Sequence, residues 1–442
     1  MRKFSYSQIF AIAYPILFST LMEQLIGMTD TAFLGRVGEI ELGAAALGNI
    51  FYMTIFMLGM GFSVGSQILM GRRNGQGKYL SIGTIFYHSL AFLIFMALLL
   101  FAFSLLFSAN LLEHIIQSPK VCQATENYLD WRVYGLFFAF INTLFRAFYV
   151  STTHTRTLTL NSIVMVLCNV CFNYVLIFGK FGLPAYGIAG AAIGSTMAEA
   201  VSTLFFVTYT HAHVPYKKYG LDRVPKIRFH ILGKMLGISI WTMIQNFISL
   251  STWFLLFLAV EHLGEHELAV TNIIRNISSF TYMLVIAMAS TASTLVSNLM
   301  GNGEYEAVKP MLFKSIRLSF FILVPLLILI GLFPDEVMGI FTNDASLLSA
   351  GYGPLYMLLV SYIFTVPSQI LFSAVSGTGN TRTAFMIEVV ALSFYTLYIV
   401  VAIFHFRVSL TWCWFSEFVY GFWEILLSVP YLRSGKWKAT RI

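Results

Sequence analysis

Charge is scarce in this chain. Of its 442 residues only 11% are Asp, Glu, Lys or Arg, and 58% are hydrophobic, against about 25% charged in an ordinary soluble domain. So little polar surface cannot cover a water-soluble body of this size. Cysteine is scarce too. Of the four, Cys168 and Cys171 form a CxxC inside an apolar run with no second ligand pair, which reads as two small core residues rather than a redox or metal motif. The formal net charge is +7, yet no run of Lys and Arg sits on a soluble segment, so nucleic acid is not an expected partner. Neither GQG at 75–77 nor GNG at 301–303 is followed by the lysine-serine pair of a nucleotide cradle. G-x-S-x-G and H-E-x-x-H are missing, and only His88 and His405 fall within apolar runs, in different halves of the chain. Nothing therefore gathers into the metal or nucleophile constellation of an enzyme. No small-residue cleavage pattern follows Arg2, Lys3 and the apolar stretch from Ile9, so that stretch reads as a retained first span.

What the chain has in abundance is long apolar runs. A helix rises 1.5 Å per residue, so about 20 residues cross a hydrocarbon layer about 30 Å thick. Twelve such spans are expected at 9–34, 43–70, 82–108, 125–150, 157–179, 186–210, 231–260, 268–296, 311–333, 349–376, 383–406 and 410–432. They must be helical, because backbone groups facing lipid have no water to bond, and the ten-residue alternation of a membrane barrel is not seen. With the N-terminus on the cytoplasmic side, 20 Lys and Arg lie on that face and five, Arg36, Lys120, Arg132, Lys180 and Arg407, on the other. The bias places both termini in the cytoplasm.

The chain also repeats itself. A shift of 226 residues lays GEIEL at 38–42 on GEHEL at 264–268, GQGKY at 75–79 on GNGEY at 301–305, and TRT at 155–157 on TRT at 381–383. The expected fold is all-α and membrane-integral, with 12 transmembrane helices in two pseudo-symmetric six-helix bundles. The bundles are 1–210 and 231–442, joined by a basic cytoplasmic linker at 211–230. Six spans per copy give both halves one orientation, the parallel-repeat plan of transporters.

Six acids fall within the spans: Glu23, Asp30, Glu199, Glu388, Glu417 and Glu424. An ionisable group at that depth is a functional candidate. Asp30 shares a helix face with Glu23, two turns earlier, and its depth matches that of Asn169 and Asn173, four apart on span 5. A carboxylate with two amide oxygens suits Na⁺, or a carboxylic acid that takes up a proton. At the 226-residue offset these three become Leu256, Tyr395 and Ile399, so ion coupling is expected in the N-terminal half, with Glu23 and Glu199 assisting. Arg275 and Glu417 lie at similar depths and are expected to form a structural ion pair. Gln245, Glu388, Glu424, Tyr134, Tyr149, Tyr282 and Tyr362 are candidates to line a substrate cleft, where aromatic faces hold lipophilic cations.

GMTDTAFLGRVGEIELGAAALG at 27–48, RAFYVSTTHTRT at 146–157 and LCNVCFNYVLIFGKFGLPAYGIAGAAIGSTMAEA at 167–200 resemble the multidrug and toxic compound extrusion (MATE) family. LGEHELAVTNI at 263–273 and VSGTGNTRTAF at 375–385 echo them in the second half. The resemblance covers nearly the whole chain. It implies two six-helix bundles facing a central cleft, and export of amphipathic, often cationic, organic compounds in exchange for H⁺ or Na⁺. It also implies a coupling role for Asp30 and an asparagine at Asn169. Many members have an aspartate where this chain has Asn173. Sodium-type members carry acids on spans 7 and 10, where this chain has Gln245, Asn246, Thr365 and Gln369. The expected setting is the cytoplasmic (inner) membrane. The expected partners are lipid and small organic molecules, with a monomeric chain and no cofactor beyond the coupling ion. A flippase for lipid-linked sugars is the alternative within the same wider superfamily; it would want more basic residues in the cleft than Arg146 and Arg275 supply. A membrane-embedded enzyme is the remote third reading.

Overall fold

The computed structural model describes residues 4–116 and 118–440. Arg2, Lys3 and Arg441, which entered the charge count, lie outside the described residues. Among these residues there is no strand. The helices are α1 (Tyr6–Leu34), α2 (Glu39–Gly75), α3 (Tyr79–Ile115), α4 (Pro119–Arg132), α5 (Gly135–Ser151), α6 (Arg156–Phe178), α7 (Gly187–His213), α8 (Phe229–Glu261), α9 (Glu265–Asn302), α10 (Val308–Leu332), α11 (Pro334–Gly339), α12 (Ala345–Gly377), α13 (Thr381–Ile399), α14 (Leu410–Cys413) and α15 (Ser416–Ser434). Ten helices are long and apolar enough to cross a bilayer, and the pair α4–α5, bent by 53°, makes an eleventh. With the shorter α14–α15 pair the count reaches the expected twelve.

The fourth span is therefore longer than expected and broken. It starts at Pro119, which suits a first helical turn because proline has no N–H to leave unpaired, and bends at Val133–Tyr134 before α5 resumes. The twelfth span breaks in the same manner between α14 and α15. Large apolar side chains such as Leu106, Leu167, Phe313 and Phe321 point outwards, while Ser66, Ser89, Thr271, Ser297 and Ser368 are fully buried. Apolar residues outside and small polar ones between helices are the arrangement lipid demands.

The repeat is visible in the turn chemistry. Gly77 and Gly303, 226 apart, both take left-handed backbone, at φ 70° and 76°, which costs glycine nothing. At the start of α2 a Cβ on Gly38 would overlap the Glu41 carboxyl, and at the start of α9 a Cβ on Gly264 would overlap that of Glu267. In both copies a glutamate folds back over the first turn, where a carboxylate complements the helix dipole.

The chain divides into two compact units, Phe18–Met243 and Met1–Leu17 with Ile244–Ile442. The two division points are again 226 residues apart. In the first unit the opening turns of α8 pack on α2: a Cβ on Gly61 or Gly65 would run into Met243 or Ser239, and Thr242 Oγ1 donates to the Gly61 carbonyl at 2.7 Å. In the second unit the opening turns of α1 do the equivalent. Phe10, Ala13, Tyr14 and Leu17 face Leu284, Ala287 and Met288 across an apolar groove, and Ala287 is the repeat partner of Gly61.

Between α7 and α8 the basic linker is strapped to α3. Gly83 N–H donates to the Tyr219 carbonyl at 2.8 Å, Tyr87 Oη to the Leu221 carbonyl at 2.6 Å, and Arg228 N–H to His88 Nε2 at 3.0 Å. Lys218 Nζ lies 4.1 Å over the Tyr79 ring.

Candidate functional site

Asp30 sits near the end of α1, one turn before its last residue, and meets α6 and α7. Asn173 Nδ2 donates to Asp30 Oδ1 at 2.5 Å and to Asn169 Oδ1 at 3.2 Å. Ser195 Oγ donates to Asp30 Oδ2 at 3.2 Å and accepts from Asn169 Nδ2 at 3.1 Å. The ring of four side chains closes because Asn169 and Asn173 are one turn apart on α6, and because α7 approaches closely. At Gly194 a Cβ would overlap Asn173 Oδ1, so only glycine leaves room for that amide. Asn173 Oδ1 itself is buried and has no partner. The carboxylate thus takes two hydrogen bonds from neutral donors, and no Lys or Arg is ion-paired to it among the described residues.

Two of the expected assistants stand elsewhere. Glu23 pairs with Arg146 of α5 at 2.7 Å, and Arg146 also donates to Thr20 Oγ1 at 3.1 Å. Two turns along α1 put Glu23 about 10 Å from Asp30, and the nearby arginine captures it. Glu199 belongs to a buried ion pair. Arg132 of α4 grips it with both guanidinium nitrogens, at 2.9 and 2.6 Å, and the Tyr52 ring of α2 lies 3.8 Å beneath the guanidinium. A Cβ on Gly135, at the α4–α5 bend, would overlap both charged groups. Ser195 and Glu199 are one turn apart on α7, so one face of that helix reaches Asp30 with the first and Arg132 with the second.

The expected pair of Arg275 and Glu417 is not formed. Arg275 lies 5.4 Å from the Phe257 ring, and Glu417 Oε1 is buried with no partner. Equal depth on α9 and α15 did not imply facing sides. Several candidates for a cleft are packed inside the units instead. Tyr149 is fully buried and its hydroxyl bonds that of Thr210 at 2.6 Å. Tyr362 is buried, bonded to Thr281 Oγ1 at 2.5 Å and to the Ser278 carbonyl at 3.3 Å. Tyr134 is 46% exposed, beside Phe101. Tyr282 is half-buried, and Gln245 Oε1 is enclosed without a partner. Glu388 and Glu424 are 1% and 0% exposed. Ser249 Oγ and Tyr420 Oη surround the Glu388 carboxyl, and Gln369 Nε2 donates to Glu424 Oε2 at 3.1 Å.

A model of the MatE family matches residues 15–175 and 242–404, one segment in each half. The chain belongs to the MatE family. Among curated MatE relatives, a probable multidrug resistance protein NorM of Thermotoga maritima is 25% identical over 98% of this chain and 93% of its own length. The protein of the same name from Pasteurella multocida is 23% identical over 84% of this chain and 80% of its own. The fold also matches solved structures. A MOP superfamily transporter from Pyrococcus furiosus, described as having a binding pocket of reverse polarity, superposes with a TM-score of 0.89 at 17% identity, covering 98% of this chain and 97% of the other. A eukaryotic MATE transporter gives 0.85 at 19% identity, covering 98% and 96%. The MatE fold is thus all-α, with 12 transmembrane helices in two repeats.

Within this MatE chain, sequence reasoning missed Arg132, Ser195 and Gly194. The signal for the last two was present: GIAGAAIGS at 187–195 is a stripe of small residues, which in a membrane helix marks close approach to a neighbour. Ser195 and Gly194 end that stripe. Arg132 had no such signal: it falls inside the expected span 125–150 but was counted with the charges of the outer face, so a buried partner for it was not sought.

Proposed function

We propose that this protein is a secondary active exporter of amphipathic or cationic organic compounds, driven by exchange for H⁺ or Na⁺ through alternating access. The observation that carries the reading is the Asp30 carboxylate, held by Asn173 and Ser195 with no basic partner ion-paired to it among the described residues. A negative charge in that position accepts a monovalent cation and is neutralised by it. Once Asp30 is neutral, Asn173 and Ser195 no longer need to point their donors at it. The unpartnered Asn173 Oδ1 then offers an acceptor to a proton on Asp30 or a ligand to Na⁺. Cation occupancy in this way changes how α1 is held against α6 and α7. The names of the NorM relatives support organic compounds as cargo, and the family fold supports transport rather than catalysis. The flippase reading loses ground because Arg146 is taken by Glu23, which leaves Arg275 as the one arginine of the two without a carboxylate partner among the described residues, too little charge to meet pyrophosphate. We place the protein in the cytoplasmic membrane as a monomer with both termini inside.

The test is export of a fluorescent organic cation from proteoliposomes, with pH and Na⁺ gradients imposed separately. Wild type exports under one gradient, and that gradient names the ion. Asp30→Asn binds the dye but does not export it. Export by Asp30→Asn at the wild-type rate would refute the coupling role.

A further inference from the structure

The pair of Arg132 and Glu199 sits one helical turn from the Asp30 ring and takes no part in it. Along α7 the polar side chains follow one another at helical spacing, and together they tie that helix to three neighbours besides α1. Ser195 bonds Asp30 of α1 and Asn169 of α6. Thr196 Oγ1 donates to the Trp131 carbonyl of α4 at 3.4 Å. Glu199 takes both guanidinium nitrogens of Arg132, also on α4, and its carbonyl accepts from Asn142 Nδ2 of α5 at 3.0 Å. Ser202 Oγ donates to Asn161 Oδ1 of α6 at 3.0 Å, and Thr203 Oγ1 to Asn142 Oδ1 at 2.8 Å. The height and rotation of α7, and with them the place of the Ser195 hydroxyl, are therefore set against α4, α5 and α6 together. Among the described residues Arg132 supplies the one charged tie to α7.

The pair also decides what charge Asp30 meets from that side. Ser195 and Glu199 are one turn apart on α7, so the Glu199 carboxylate and the guanidinium both lie on the order of 10 Å from the Asp30 carboxylate. Paired, they present no net charge. Unpaired, either would act strongly, because salt screens buried charges little. A lone guanidinium opposes a cation on Asp30, and a lone carboxylate attracts one. At an effective protein dielectric of about 20, one charge at that range changes the affinity for a cation about tenfold. The other ionisable groups beside the pair are phenols, uncharged at neutral pH: Tyr52 of α2 under the guanidinium, and Tyr128, one turn before Arg132 on α4, both buried. Glu23 of α1 is held by Arg146.

We propose, resting on the antiporter reading of Asp30, that Arg132 and Glu199 are positioning residues for cation exchange at that carboxylate. As a neutral pair they fix Ser195 and set the concentration at which the driving cation loads Asp30. The test is export by the full-length protein in proteoliposomes, with the half-saturating concentration of the driving cation and the maximal rate measured separately. Glu199→Gln strands the guanidinium and is expected to raise the half-saturating concentration about tenfold; Arg132→Met strands the carboxylate and is expected to lower it about tenfold. Arg132→Lys keeps the charge but not the two-pronged grip, so the half-saturating concentration stays near that of wild type while the maximal rate falls. Shifts in the same direction in Glu199→Gln and Arg132→Met, or no shift in either, would overturn the proposal and leave the pair a support of the fold. If those two variants do not fold, the double variant Arg132→Met with Glu199→Met decides. It is expected to combine a near-wild-type half-saturating concentration with a lower maximal rate, and wild-type values for both would overturn the proposal. Asp30→Asn separates the two failures. Its export at the wild-type rate would remove the Asp30 reading itself, whereas an inactive Asp30→Asn beside unopposed shifts refutes the role of the pair alone.

Discussion

The buried pair of Arg132 and Glu199 offers the sharpest stability test. Both side chains are about nine-tenths buried, at 10% and 8% exposure. Glu199→Gln keeps the shape and one acceptor but strands the guanidinium. Losing one partner of a buried pair costs about 3–5 kcal/mol. Arg132→Met strands the carboxylate and also removes the cation from the Tyr52 ring, worth up to about 2 kcal/mol when desolvated, so it is expected to be the worse of the two. The double variant Arg132→Met with Glu199→Met removes both charges and fills the space with apolar atoms. Such replacements are typically neutral or stabilising by about 1–4 kcal/mol, less the lost cation–π contact. The two single costs therefore fail to add, with a coupling of at least about 4 kcal/mol by the same bounds. Reversible unfolding in mixed detergent micelles, followed by far-ultraviolet circular dichroism, gives all four free energies. A Glu199→Gln cost below about 1 kcal/mol, or a double variant as unstable as the sum of the singles, would show that the pair is not the buried, water-free contact described above.

Other substitutions separate coupling from folding. Gly194→Ala pushes a Cβ into Asn173 Oδ1; it should abolish driven export with a smaller effect on unfolding, and unchanged export would show that Asn173 need not touch Asp30. Glu23→Gln breaks an ion pair whose members are 52% and 27% exposed, so it should cost less than about 1 kcal/mol in the same unfolding assay. Asp344 caps α12 outside the membrane, where Ser346 hydroxyl and N–H hold its carboxyl below the ordinary aspartate range. A depressed carboxyl contributes its stability above the ordinary value and loses it as pH falls through the folded one, so the start of α12 frays only in acid. Asp344→Ala should speed amide exchange at Ser346–Leu348 at neutral pH, whereas Asp344→Asn, still a capping residue, should remove the acid dependence and leave the helix start protected.

Spans, repeat and the meeting of Asp30 with Asn169 and Asn173 were legible in the sequence for one reason. Each depends on position along a helix axis, which residue counting supplies at 1.5 Å per step. Rotation about the axis is a different matter. In soluble helices an apolar stripe reveals it, but a helix apolar on every side carries no such stripe. Depth alone matched Arg275 with Glu417, and azimuth did not put them in contact, while the face that Glu23 shares with Asp30 left it two turns away and within reach of Arg146. Arg132 was hidden for a third reason: a 53° bend inside a span leaves no mark in hydropathy, and the arginine just before it counted as one of the outer-face charges.

Duplication explains why the chemistry is unequal where the scaffold is equal. The turn glycines at 77 and 303, the glutamates folded over the starts of α2 and α9, and the unit boundaries all recur at the same offset. The charged residues inside the spans do not. Asp30, Arg132 and Glu199 become Leu256, Leu358 and Ile425, while Glu388 and Glu424 become Ser162 and Ala198. If acids served helix packing, they would recur along with the glycines, because both copies pack alike. Each unit instead holds a constellation of its own, on different helices: α1, α6 and α7 in one, α13 and α15 with α8 in the other. If coupling runs through the Asp30 constellation alone, removing an acid of the second unit leaves the pH dependence of export unchanged. Comparing the pH at which export half-saturates in Asp30→Asn, Glu388→Gln and wild type tests this. One midpoint shared by wild type and Glu388→Gln would leave Asp30 acting alone.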